Sequence, residues 1–172
     1  GVGEVPRVDL SWLVADIARF ALPAPYVLMV PAGAAHRPGK RWPADHYGQL
    51  AARLAAVGVS TVLLGAASER ATMDAVRARA LYARDLAGQT DFAEIAALAR
   101  GAAGAIGNDT GPMHIVAGAG CPALVLFSDE SDPALCAPRA PADARPVTVI
   151  RKSPLDALGV DEVHQAFRRL LR

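Results

Sequence analysis

The sequence is poor in several features that often announce a function. It has two cysteines, Cys121 and Cys136, far apart and without the spacing of metal ligands. They read as idle thiols in a reducing cytoplasm rather than as a disulfide. Neither sign of charge is in excess: charged residues make up 20% of the chain and the formal net charge is +1. That balance gives no reason to expect nucleic acid or a broadly anionic surface as partner. No apolar run is long enough to span a bilayer, and no signal-peptide pattern is visible. Lysine is sparse beside arginine while alanine is abundant, a compositional bias that says little about function.

What is present is a core. The chain has 172 residues, of which 52% are apolar. Disorder is excluded for most of it, and a chain this long buries roughly 70% of its unfolded surface. One domain is expected over residues 26–172. Residues 1–25 read as an interdomain connector with a short amphipathic helix built on Trp12, Leu13, Ile17 and Phe20 and ended by Pro23 and Pro25.

The stretch that organises the rest is A-I-G-N-D-T-G-P-M-H-I-V, residues 105–116. An apolar run over 102–106 stops at Gly107-Asn108-Asp109-Thr110-Gly111, and Pro112 opens an apolar helical segment. The order predicts a buried strand, a tight turn and a helix start. Asp109 or Thr110 is placed to cap that helix. The same helix start, with its unpaired N–H groups and positive dipole end, is a natural anion site, and Gly107 and Gly111 would let a ligand approach the backbone. His114, one turn inside, can add a donor to the same anion. An ordinary capped turn is the simpler alternative.

Two other turns have the same character. The apolar run Tyr26–Val30 leads into Pro31-Ala32-Gly33-Ala34-Ala35 and then a basic stretch, His36 to Pro43, that includes Lys40. Small residues and positive charge after a buried strand suit an anionic ligand, although a solvated basic loop has the same composition. A third run, residues 60–64, ends in Gly65-Ala66-Ala67-Ser68-Glu69. Ser68 is placed to cap a helix over residues 70–82, and Glu69 either complements its dipole or bonds ribose hydroxyls. Thr90-Asp91 opens the following helix, and a Pro- and Ala-rich stretch over 131–146 reads as surface loop. Apolar strands alternate with helices throughout. The fold class expected is therefore α/β, a Rossmann-like three-layer arrangement around a parallel sheet, with all three turns on the carboxyl edge.

Three segments, V-P-A-G-A-A-H-R-P-G-K-R-W-P, L-L-G-A-A-S-E and G-N-D-T-G-P-M-H with the A-G-A-G-C-P-A-L-V-L-F that follows, resemble glycosyltransferase family nine, the heptosyltransferases of lipopolysaccharide core assembly. The resemblance runs over residues 31–127 and implies the carboxyl-terminal domain of a GT-B enzyme, the half that holds a nucleotide-sugar donor such as ADP-heptose. It places Lys40, Asn108, Asp109, Thr110, Gly111 and His114 on the donor and its phosphates, Glu69 on the ribose and Thr90 near the base. Where the family often carries hydroxyl residues in the first loop, this chain has Ala34 and Ala35.

The activity implied is inverting transfer to a saccharide or glycolipid acceptor, in the cytoplasm at the inner face of the inner membrane, with peripheral membrane contact. No cluster of metal ligands is visible, so no metal or other cofactor is expected. The general base and the acceptor site are expected in an amino-terminal domain outside this sequence, which leaves no catalytic residue here and a chain inactive alone. Two alternatives stay open: a nucleotide-binding module without catalysis, and a nucleotide-sugar epimerase of similar architecture.

Overall fold

Six short strands lie in one sheet in the order β3-β2-β1-β4-β5-β6, and every neighbouring pair is parallel. The structure, a computed structural model, describes residues 8–145 and 147–171. The first seven residues of the expected connector and Pro146 of the expected surface loop lie outside the described residues. In chain order the elements are β1 Tyr26–Val30, α1 Ala44–Ala55, β2 Ser60–Leu63, α2 Arg70–Arg77, β3 Arg84–Asp85, α3 Phe92–Gly101, β4 Gly104–Asn108, α4 Gly111–Gly118, β5 Ala123–Phe127, α5 Pro133–Cys136, β6 Thr148–Arg151 and α6 Val160–Leu170. The chain winds from β1 outward to β3, then returns to β4 on the other side of β1. This is the Rossmann order, with its switch point between β1 and β4.

Both faces of the sheet are apolar because helices cover both. Val27 and Met29 of β1, with Leu63, Ile106 and Leu124, pack against Tyr47, Leu50, Val76 and Phe167 from α1, α2 and α6. The intervening residues Leu28 and Val30, with Val62, Ala105 and Val125, pack against Leu98, Met113 and Val116 from α3 and α4. Alternate side chains of one strand thus feed two cores, and the three-layer expectation holds. Among the described residues no helix is long and apolar enough to cross a membrane. Burial pushes the Cys121 thiol up to about 12, which keeps it protonated and inert near neutrality.

Several local expectations differ. Residues 12–20 do not form an α-helix; only Ala18–Phe20 make a 3-10 turn. The carbonyls of Leu10 and Leu13 are instead taken by the Arg100 guanidinium, at 2.5 and 2.8 Å; Phe20 is driven into the core and Ile17 packs against it, while Trp12 stays outside. Helix α2 stops at Arg77 rather than residue 82, leaving Leu81 and Tyr82 exposed. Its lead-in is capped by the Glu69 carboxylate, which accepts the Ala66 N–H at 2.7 Å, and not by Ser68. Strand β4 runs two residues further than the apolar run suggested. Gly107 is needed there by the protein itself: a Cβ would lie 2.6 Å from the Met113 sulfur and 2.8 Å from Val30 Cβ. Its lack of a side chain admits α4 and β1, not a ligand.

The carboxyl ends of β4 and β1 are joined by one buried amide. Asn108 is fully buried, and its Oδ1 accepts the Trp42 N–H and the Tyr47 hydroxyl, both at 3.0 Å. Its Nδ2 donates to the carbonyls of Pro31 at 2.8 Å and Ala32 at 3.3 Å. Every hydrogen-bonding position of the amide is filled. Trp42 is anchored a second time, donating from Nε1 to the Leu158 carbonyl at 2.8 Å.

Two stability outcomes follow. In Asn108→Asp the carboxylate can still accept from Trp42 and Tyr47 but faces two carbonyl oxygens with no proton to give. Burial and that repulsion raise its folded pKa above the unfolded value of about 3.9. The folded state then binds the proton more tightly, so the variant loses stability as pH rises from about 4 toward 7. A deficit of about 3 kcal/mol near pH 7 that shrinks on acidification is expected in urea denaturation; a pH-independent difference would contradict it. In Gly48→Ala, the helix-propensity gain of about 1 kcal/mol is opposed by a Cβ placed 2.6 Å from the Val76 carbonyl oxygen and 2.7 Å from Arg79 Cβ. Helices α1 and α2 must part, so a net loss of about 1–3 kcal/mol is expected; a raised denaturation midpoint would contradict it.

Candidate functional site

All the turns singled out in the sequence fall at the carboxyl edge of the sheet, and two of them, after β1 and after β4, meet at the switch point. Residue 38 is a proline that starts the 3-10 turn Pro38–Lys40, which brings Lys40 back over the strand ends. Its Nζ lies 2.5 Å from Asp109 Oδ2, and the two side chains are only 15% and 7% exposed. The Ser131 hydroxyl donates to the same Oδ2 at 2.7 Å. The loop after β1 and the turn after β4 also touch directly: a Cβ on Gly33 would lie 3.1 Å from Thr110 Cγ2.

Helix α4 begins at this meeting point and is left uncapped. Thr110 occupies the N-cap position with extended backbone, yet its side chain makes no cap hydrogen bond. Its Oγ1 is buried and has no partner among the described residues. Asp109, the other residue expected to cap, has its carboxylate engaged by Lys40 and Ser131. The N–H groups of Thr110 and Gly111 donate to no group among the described residues. Nothing lies within 4 Å of a Cβ built on Gly111, so the backbone there is open to approach. Two unbonded amides and an unpartnered hydroxyl at the start of α4, with the Lys40 ammonium on the neighbouring Asp109, are donors of the kind that suit an anion. His114 sits exposed on the first turn of α4.

Asn108 is corrected on one point. Its side chain is consumed by the four internal bonds described above, so it positions Pro31, Ala32, Trp42 and Tyr47 and has no capacity left for a ligand.

Glu69 and Thr90 belong to a second wall, at the ends of β2 and β3. The Gly88 N–H donates to the Gly65 carbonyl at 2.8 Å, and Arg70 holds Asp85 at 2.6 Å, which lock the two loops together. Glu69 spends one oxygen on the Ala66 N–H. Thr90 is half-buried just before Asp91, which caps α3 in a reciprocal box with Glu94. Among the described residues no hydrogen bond or ion pair joins this wall to the Lys40–Asp109 group. Nor do three His, Cys, Asp or Glu side chains converge as metal ligands among them.

Sequence reasoning missed Arg41, Glu130 and Ser131. Arg41 donates to the Gly33 carbonyl at 2.6 Å and stiffens the first loop. The carboxylate of Glu130 lies over Gly39, where a Cβ would push it aside. The overlooked signal was Ser131-Asp132-Pro133, an N-cap and first-turn proline that mark a helix start just past β5, on the same edge.

Comparison with known proteins places this edge in context. A family model, glycosyltransferase family 9 (heptosyltransferase), matches residues 6–151. Lipopolysaccharide heptosyltransferase 2 of Salmonella typhimurium is 32% identical over 104 residues, covering 58% of this chain and 30% of that protein. The structure of E. coli ADP-heptose lps heptosyltransferase II superposes with a TM-score of 0.76 at 25% identity, covering 94% of this chain and 50% of that one. E. coli heptosyltransferase WaaC with ADP gives a TM-score of 0.76 at 22% identity, covering 96% and 50%. The chain therefore spans about a third to a half of the length of the proteins it matches. With the model matched across most of its length, the chain belongs to glycosyltransferase family 9 (heptosyltransferase).

Proposed function

We propose that this chain is the donor-binding half of a two-domain GT-B enzyme that moves a heptose-like sugar from a nucleoside diphosphate, ADP, to a lipopolysaccharide-type acceptor. The observation that carries the reading is the uncapped start of α4, with the unpartnered Thr110 hydroxyl and the amides of Thr110 and Gly111 beside Lys40. It is supported by the likeness to a heptosyltransferase structure that holds ADP.

In this reading the diphosphate lies on the α4 N-terminus, Lys40 turns from Asp109 to a phosphate oxygen, and His114 adds a donor from the first turn of α4. Glu69 offers its remaining oxygen to ribose hydroxyls and Thr90 flanks the base. Negative charge gathers on the leaving diphosphate in the transition state, and these fixed donors meet it without reorganising. The transfer is inverting and metal-independent. The general base and the acceptor site come from an amino-terminal domain, to which residues 1–25 connect. The enzyme works on the cytoplasmic side of the inner membrane, in peripheral contact with it.

The test is thermal unfolding with ADP, UDP and GDP. At a hundred-fold excess over Kd a ligand stabilises by about 2.7 kcal/mol, which raises Tm by roughly 5–10 °C for a domain of this size. ADP is expected to give the largest rise. Thr110→Val removes a hydroxyl that has no partner, so without nucleotide it should melt at the wild-type temperature or above. With ADP its rise should be less than half that of the wild type. Lys40→Ala should lower the ADP-dependent rise as well. No rise with any of the three nucleotides in a folded sample would overturn the reading.

A further inference from the structure

The loop between β5 and α5 supplies a group that the donor reading leaves unused. Ser131 Oγ donates to Asp109 Oδ2 at 2.7 Å, the same oxygen that Lys40 engages at 2.5 Å. The position of Ser131 is fixed from both sides. Asp132 caps α5 through the Ala134 N–H at 3.0 Å, and the Glu130 N–H donates to Ser128 Oγ at 3.3 Å. The exposed Glu130 side chain reaches over Gly39, next to Lys40, so this loop and the Lys40 turn are neighbours.

Binding a diphosphate changes what Asp109 needs. When a phosphate takes Lys40 as its countercharge, Asp109 loses its ammonium partner while its side chain stays only 7% exposed. A carboxylate desolvated in this way is costly unless something donates to it. It also sits one residue before the N-cap of α4, where an unheld carboxylate would swing onto the free amides and compete with the phosphate for them. The Ser131 hydroxyl answers both problems. It keeps one hydrogen bond on Oδ2 and holds the carboxylate off the helix start.

We propose that Ser131 is a positioning residue of the donor site, holding Asp109 in place when Lys40 is handed from that carboxylate to a diphosphate. The proposal rests on the donor reading above. It makes the β5–α5 loop a third wall of the site.

The test is equilibrium binding of ADP and inorganic pyrophosphate, with adenosine as control, to the 172-residue chain and its Ser131→Ala and Ser131→Thr variants. Ser131→Ala should weaken ADP and pyrophosphate roughly ten-fold, the worth of one hydrogen bond to a charged group. Adenosine should bind it as it binds the wild type, and Ser131→Thr should restore both phosphate ligands. Undiminished ADP binding by Ser131→Ala overturns the proposal, and so does failure of threonine to rescue. An equal loss for adenosine with a lowered Tm marks a structural role and overturns it too. A wild-type chain that binds neither ADP nor pyrophosphate overturns the donor reading itself, and this inference with it.

Discussion

The arrangement depends on a single buried amide. Asn108 ends β4 at the centre of the sheet, and its side chain ties that strand end to the loop after β1 and to the start of α1. A polar group with no exposed surface is tolerated in such a place only when every donor and acceptor is filled, and here all are. The consequence reaches the surface. Pro31 and Ala32 begin the loop that carries Lys40, and Trp42 ends it, so the amide grips that loop at both ends. Trp42 and Tyr47 meet edge to face with centroids 4.9 Å apart, which stiffens the grip. Lys40 is thereby delivered over Asp109 by a loop of a dozen residues with little regular structure of its own.

The contrast with α4 is instructive. Asp91 and Glu94 box the start of α3 and Asp132 caps α5, whereas α1, α2 and α6 begin at Pro43, Glu69 and Gly159, none of which makes a side-chain cap. At α4, two residues able to cap stand in place and neither does so. A buried hydroxyl without a partner costs about 1–3 kcal/mol, and the fold carries that cost at the switch point of the sheet, where ligands of such sheets bind. Two residues able to cap that make no cap, at the place where such sheets bind ligands, are what the donor reading uses.

The inner strands such as β1 and β5 were legible because parallel strands buried on both faces are unbroken apolar runs, and the common edge because small residues punctuate the strand ends. The central turn was legible for the same reason, with Pro112 fixing where α4 begins. What stayed hidden depends on partners distant in sequence. Asn108 looks like a ligand residue until Trp42 and Tyr47 are seen to consume it. Gly107 looks like room for a ligand until Met113 and Val30 are seen to fill that room. Residues 12–20 have a helical apolar spacing, but Arg100, from α3, takes the carbonyls that a helix would use. Ser131 lies in a stretch without periodicity, so nothing local could connect it to Asp109.

The charge placed around the α4 start bears on how such a site would work. Its one ammonium is already neutralised by Asp109, and Glu130 and Glu69 stand on the adjoining loops. A site crowded with free cations would hold the donor strongly in its ground state, and an interaction made equally in ground and transition state does not speed the chemical step. On the proposed reading this site holds the donor mainly through neutral donors, two amides and a hydroxyl. Lys40 exchanges one anion for another, a trade worth little while the phosphate charge is shared with the sugar bond. As that bond breaks, charge on the leaving oxygen grows and the trade becomes favourable, because the Asp109 carboxylate stays constant while its rival strengthens. On that reading the pairing of Lys40 with Asp109 gives a countercharge whose pull grows as negative charge gathers on the leaving diphosphate.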